Sequence, residues 1–173
     1  MAVGFRQLVK YTYYDSMYDV DLGFKKCVEI IPAYGGDTTE MVVLTWSGGS
    51  GTSLPILHQD RGFYDKHVKL VVASGNPFEH GGFPGKIVNG VWDHYYESHH
   101  SFMYNYLEQG PLTQRLEFLC GSESQEFPFI YQQHQIWIDR LKDLGYDTDL
   151  YVLENNDHYD AVLTAYVLID RIR

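Results

Sequence analysis

The chain has 173 residues, 45% of them hydrophobic, and its 23 acidic and 13 basic side chains give a formal net charge of −10. This length and composition indicate one globular domain with a sizeable core, and the acidic balance argues against nucleic acid as a partner. The sequence contains no apolar run long enough to span a membrane and no signal peptide, and Cys27 and Cys120 both lie in apolar runs, so we expect reduced thiols in a cytoplasmic protein.

The first third of the chain predicts two strands and two helices. Ala2–Val9 has the pattern of a strand, and the apolar residues of Tyr18–Ile31 recur at helical spacing. Met41–Leu44 is a β-branched apolar run that predicts the second strand. A helix is predicted over Ser50–Gln59, provided that Pro55 lies in its first turn, where proline is tolerated.

The rest of the chain continues the alternation of strands and helices. Val68–Ala73 is apolar except for Lys69, which is typical of a strand covered on both faces. Residues 76–112 are rich in glycine, histidine and aromatic residues without periodicity, and this predicts a lid or binding loop. A strand follows at Leu116–Cys120 and a helix at Phe127–Leu144. The last strand is predicted at Leu150–Leu153 and the last helix at Asp160–Arg173. The order predicts a single α/β domain over residues 1–173, with a parallel sheet of about five strands flanked by helices.

A short glycine-rich turn follows the second predicted strand. The sequence Thr45-Trp46-Ser47-Gly48-Gly49 places a serine between a strand and a helix with small residues after it, which is typical of a nucleophile elbow. Thr45 stands where the usual motif has glycine. A second framing centres on Ser50, and an ordinary turn or a phosphate-binding loop are the alternatives to an elbow.

A nucleophilic serine requires a base, and the base requires an acid that orients it. In open parallel sheets such groups lie at the carboxyl ends of strands. Glu123 and Glu126 follow the fourth predicted strand, and His158 follows the fifth. The resulting chain order of serine, acid and histidine is that of the α/β-hydrolases.

Two segments make a family resemblance specific. Ser122–Phe127 reads SESQEF and residues 157–159 read DHY; they resemble the HDSPEF and DHF segments of kynurenine formamidases (arylformamidases) and their esterase relatives. The resemblance extends from Val3 to the C-terminus and is strongest from Leu116 onward. It implies an α/β-hydrolase fold and hydrolysis of an N-formyl aryl amide or a small ester, with a small-molecule substrate and without metal or cofactor.

The same resemblance implies a role for each site residue. Ser47 is the expected nucleophile, His158 the base and Glu123 the acid, and the amide of Gly48 is the expected oxyanion donor. Glutamate at 123 replaces the aspartate of the family. The alternative acids are Glu126 and, less well matched, Asp157.

The second oxyanion donor of the family lies in a His-Gly-Gly-x-Trp loop, and no such loop precedes Met41. We interpret His80–Phe83 as part of the lid and not as that loop. We therefore expect a hydrolase that lacks its N-terminal part, has weak activity and exposes Ala2–Val9 as an edge strand that promotes homodimers. The alternative is an inactive fragment that acts as a binding or non-functional product.

Two weaker signals concern the predicted lid and the tyrosines. The spacing of Asp93, His94, His99 and His100 matches no standard zinc motif, so no metal site is predicted. The tyrosines either line an aromatic substrate pocket or lie on the surface; they are found at positions 11, 13, 14, 95 and 96.

Overall fold

The fold is built on a parallel sheet of four strands in sequential order. The structure, a computed structural model, describes residues 1–6, 10–78 and 106–165. Its strands are β1 (Met41–Trp46), β2 (Val68–Ser74), β3 (Arg115–Gly121) and β4 (Thr148–Leu153). Each pairs in parallel with the next, in the order β1-β2-β3-β4. This confirms the predicted parallel α/β sheet, with four strands in the described residues instead of about five.

The helices of the described residues lie before, between and after the strands, and two of them begin at a side-chain cap. They are α1 (Tyr13–Ile30) with a 3₁₀ turn (Ile31–Tyr34), α2 (Gly48–Gln59), α3 (Arg61–His67) and α4 (Pro128–Asp143); residues 160–165 are also helical. The α1 helix begins five residues before the predicted start because Thr12 and Asp15 form a capping box. The short α3 helix, which the sequence pattern did not predict, is capped by the Asp60 side chain.

The prediction of a strand over Ala2–Val9 is wrong for residues 1–6, which have no regular secondary structure; residues 7–9 lie outside the described part. A strand requires hydrogen bonds from a neighbouring strand, and these residues pack on α1 instead. Phe5 lies against the core, and the Arg6 Nε lies 2.7 Å from Asp19 Oδ2. We expected Ala2–Val9 to be the edge strand of the sheet. Among the described residues the strand at that edge is β1.

Pro55 lies in the interior of α2 and not in its first turn, which corrects the sequence prediction. Proline has no N–H, so the carbonyl of Gly51, one turn earlier, receives no hydrogen bond from within the helix. The buried Tyr13 hydroxyl donates to the Gly51 carbonyl instead. This contact supplies the missing donor and attaches α1 to the helix that follows the serine turn.

The sheet separates two hydrophobic clusters. Val71 and Ala73 of β2 face the larger cluster, while Leu70 and Val72 face the smaller one. This alternation confirms that β2 is buried on both faces. Cys27 and Cys120 are free and buried, as predicted. In the described ranges, none of the helices has the length and hydrophobicity to cross a membrane.

Most of the predicted lid falls outside the part of the chain that the structure describes. Residues 79–105 are not described, and they contain His80–Phe83, the histidines at 94, 99 and 100, and the tyrosines at 95 and 96. At the two described ends of this segment, Phe78 and Leu107 are buried in the larger cluster.

Candidate active site

Ser47 forms the apex of a strained turn between β1 and α2. Its backbone has φ 50° and ψ −128°, and among the described residues only Ser47 and Asn155 are non-glycine residues with positive φ. Such backbone is costly and is found where the surroundings enforce it, often at functional sites. The Ser47 N–H donates to the Ser74 carbonyl of β2 at 2.8 Å. This is the geometry of a nucleophile elbow.

The alternative framing on Ser50 is not consistent with the structure. Ser50 lies within α2, it is fully buried, and its Oγ lies 2.7 Å from Thr45 Oγ1. Through this contact Thr45, which stands where the usual motif has glycine, is hydrogen-bonded to α2. Ser47 is therefore the serine at the turn.

A continuous hydrogen-bond chain connects Ser47 to an acid through His158. His158 Nε2 lies 3.0 Å from Ser47 Oγ, and His158 Nδ1 lies 2.9 Å from Glu126 Oε1. The three side chains come from the turns after β1, β3 and β4, which meet at the carboxyl edge of the sheet. The arrangement is that of a serine, a base and an acid that orients the base.

The predicted contact between Glu123 and His158 is wrong, because Glu126 occupies that place. The Ser122 carbonyl accepts hydrogen bonds from the amides of Gln125 and Glu126, at 3.0 and 2.9 Å. This turn leaves Glu123 exposed and returns Glu126 to the end of β3, where it is buried.

Asp157, the third candidate acid, forms hydrogen bonds within its own turn. Its Oδ1 accepts from the amides of Tyr159 and Asp160 at 2.7 and 2.8 Å. These bonds shape the turn that presents His158 instead of orienting the imidazole.

The environment of Glu126 favours its charged form. Burial disfavours the charge, but the hydrogen bond with His158 and those from the backbone amides of Phe127 and Gly121, at 2.9 and 3.2 Å, outweigh it and hold the pKa of Glu126 below its ordinary value. A charged carboxylate accepts a hydrogen bond from Nδ1–H, and in this tautomer of the imidazole Nε2 is the acceptor for the Ser47 hydroxyl.

Gly75, directly after β2, makes room for the imidazole. Its φ is +56°, and a Cβ there would lie 2.6 Å from His158 Cε1 and 2.7 Å from Nδ1. Gly121 also lies at a close approach, to the turn that carries His158: a Cβ at Gly121 would lie 2.6 Å from the Asn156 carbonyl oxygen. Sequence reasoning missed both positions because the close approaches join residues that are distant in the chain.

We expect Gly75→Ala to displace the imidazole from Ser47. A misplacement of about 1 Å costs about 10²-fold in rate, and the positive φ adds strain. The measurement is the rate at which a fluorophosphonate labels Ser47. Gly62→Ala is the control, because a Cβ at Gly62 of α3 meets nothing within 4 Å. Equal labelling rates for wild type and Gly75→Ala would contradict the expectation.

Three aromatic rings surround the imidazole. The ring centroids of Phe127, Trp46 and Tyr159 lie 5.0, 5.4 and 5.6 Å from that of His158. They leave His158 6% exposed, while the rings themselves are partly exposed, at 44%, 36% and 61%. The imidazole of His158 is thus shielded from solvent by three aromatic rings that are themselves partly exposed to solvent.

Gly48 is the first residue of α2 and follows Ser47 directly. The first amides of a helix have no acceptor within the helix and carry its positive partial charge. Gly48 therefore stays the predicted oxyanion donor. No group of three or more side chains that could hold a metal ion occurs within residues 1–6, 10–78 and 106–165.

The sequence matches no family model and no curated protein. The fold is similar to that of esterase B from Lactobacillus rhamnosis, solved with a tributyrin phosphonate (TM-score 0.76, 12% identity, 97% of this chain and 63% of that one). It is also similar to the esterase LipW from Mycobacterium marinum (0.71, 15%, 97% and 57%). A third example is the thermostable carboxylesterase EstE1 from a metagenomic library (0.70, 15%, 96% and 62%).

These similarities establish the α/β-hydrolase fold, as the sequence predicted. The chain spans 57% to 63% of the length of the three solved chains. The more specific resemblance to kynurenine formamidases stays a prediction.

Proposed function

We propose that this chain carries the triad of a serine hydrolase that cleaves carboxylic esters, with Ser47 as nucleophile, His158 as base and Glu126 as acid. The observation that carries the proposal is the hydrogen-bond chain from Ser47 Oγ through the imidazole to Glu126, with distances of 3.0 and 2.9 Å. The elbow geometry of Ser47 supports it independently. A complete chain of this kind argues for a working triad over an inactive fragment.

The acylation step follows from this geometry. Ser47 Oγ attacks the substrate carbonyl while its proton passes to His158 Nε2. Glu126, charged and hydrogen-bonded to Nδ1, stabilises the imidazolium that forms. The Gly48 amide donates to the oxyanion of the tetrahedral intermediate. His158 then gives its proton to the leaving oxygen or nitrogen, and the acyl group remains on Ser47.

Deacylation repeats the sequence with water as nucleophile. His158 Nε2 takes a proton from water as the water oxygen attacks the acyl carbonyl. The intermediate collapses, Ser47 Oγ leaves with the proton from Nε2, and the carboxylic acid is released. All protons in this cycle move between the side chains, the substrate and water.

The finer proposal for the substrate is an N-formyl aryl amide or a small ester. The support is the resemblance of Ser122–Phe127 and residues 157–159 to the formamidase segments, together with the exposed rings of Trp46, Phe127 and Tyr159 beside the imidazole. Exposed aromatic rings next to the base offer apolar surface to an aryl group.

The test compares two aryl esters with an aryl formamide. The purified chain is incubated with phenyl acetate, 4-nitrophenyl acetate and N-formylkynurenine, and Ser47→Ala supplies the background. We expect turnover of all three above that background. Hydrolysis of the esters without the formamide would contradict the formamidase proposal alone, whereas no turnover of any substrate would contradict the hydrolase proposal.

A further inference from the structure

Trp46 is next to the nucleophile in the chain and contacts the base in space. It precedes Ser47 directly, and its indole Nε1 donates to the backbone carbonyl of His158 at 2.9 Å, across 112 residues of sequence. Its ring lies 5.4 Å from the imidazole and 5.5 Å from the ring of Tyr159. The residue beside the nucleophile therefore holds the main chain of the base.

The other described hydrogen bonds of the His158 turn do not reach β1. Asp157 accepts from the Tyr159 and Asp160 amides within the turn, and the Asn156 carbonyl accepts from the Ser122 amide, which follows β3. Within the described residues, two hydrogen bonds cross from this turn to the end of β1. They are the bond between Ser47 Oγ and Nε2 and the bond from the Trp46 indole.

Only one of these two hydrogen bonds survives in the acyl-enzyme. Once Ser47 Oγ is esterified it has no hydrogen to donate to Nε2, so the direct bond is lost during the reaction. The indole bond involves neither the reacting oxygen nor the imidazole nitrogens, so acylation leaves it intact. At that stage His158 must still hold Nε2 in position to take a proton from the attacking water.

We propose that Trp46 is a positioning residue that holds His158 in place during deacylation; the proposal rests on the proposed serine hydrolase function. The indole N–H fixes the His158 carbonyl and keeps Nε2 over the acyl carbon while the water is deprotonated. Acylation depends less on it, because the Ser47 hydroxyl itself aligns the imidazole before the first attack.

The test separates the two half-reactions with Trp46→Phe, which keeps an aromatic ring beside His158 and removes the N–H. With 4-nitrophenyl acetate we expect deacylation to slow by about fivefold, which corresponds to the loss of one hydrogen bond of ordinary strength. Because deacylation then limits turnover more strongly, kcat and KM should fall together while kcat/KM changes little. Mass spectrometry of quenched reactions should detect a larger steady-state fraction of acetylated Ser47.

Trp137→Phe is the matched control. Trp137 is buried in α4 and stacks on Phe78, so this variant should lower the thermal midpoint without changing the acylated fraction. If Trp46 had only a structural role, Trp46→Phe would likewise lower the thermal midpoint and leave the acylated fraction unchanged.

Each outcome decides the proposal. An acylated fraction in Trp46→Phe equal to that of wild type, or equal losses of kcat and kcat/KM, would overturn the positioning role while the hydrolase function stands. If wild-type Ser47 is never acylated by the ester and is never labelled by a fluorophosphonate, the hydrolase function fails and the positioning role fails with it.

Discussion

Ser47→Ala is expected to abolish covalent labelling by a fluorophosphonate and to reduce ester turnover to the background of the assay. The Oγ at the elbow is the atom that forms the bond to the carbonyl or to phosphorus, and alanine has no substitute for it. Loss of a catalytic serine in a comparable triad costs about 10⁶ in kcat. The measurement is the mass of the intact chain after labelling, followed by peptide mapping of the adduct.

Ser50→Ala is the control for this substitution. Ser50 lies three residues from Ser47, but its hydroxyl is buried against Thr45, so we expect its variant to be labelled like wild type. Labelling that persists in Ser47→Ala, or an adduct mapped to Ser50, would contradict the assignment of the nucleophile.

Local patterns were sufficient to predict the elbow and most of the sheet. An apolar run such as Met41–Leu44 followed by small residues indicates a strand that turns abruptly, and each of the four described strands overlaps a segment that the sequence predicted as a strand. The start of α1 was missed although Thr12 and Asp15 carried a capping signal. The strand predicted over Ala2–Val9 failed because strand formation depends on a neighbouring strand, which a local pattern does not encode.

The types of side chain at the candidate site were predictable from the sequence, but their contacts were not. The order of strand ends indicated a serine, an acid and a histidine, yet the choice between Glu123 and Glu126 depended on the hydrogen-bonded turn that begins at Ser122. Gly75 and Trp46 were missed for a related reason. Each acts through a contact with the distant His158, and no spacing rule within a segment reveals such a contact.

Glu126→Gln is expected to reduce kcat by about 10⁴, the effect of the equivalent change from carboxylate to amide in a serine protease triad. Glutamine cannot stabilise the imidazolium by charge, and it no longer favours the tautomer that presents Nε2 as acceptor. Glu123→Gln is the control because it removes the same charge from an exposed position three residues earlier. A loss of activity in Glu123→Gln with Glu126→Gln unaffected would restore the assignment that the sequence favoured.

The lowered pKa of Glu126 also makes a prediction about stability. Its pKa in the folded chain lies below the ordinary value of 4.5, so the unfolded chain binds this proton more readily as pH falls. The contribution of Glu126 to the free energy of unfolding is therefore fully present well above pH 4.5 and is lost as the pH falls through the folded pKa. Glu126→Gln should reduce this loss of stability at acid pH, as measured by denaturant titrations over a series of pH values. The free energy of unfolding could instead fall equally steeply with acid pH in wild type and in Glu126→Gln. That result would show that the hydrogen bonds from His158, Phe127 and Gly121 do not hold the charge.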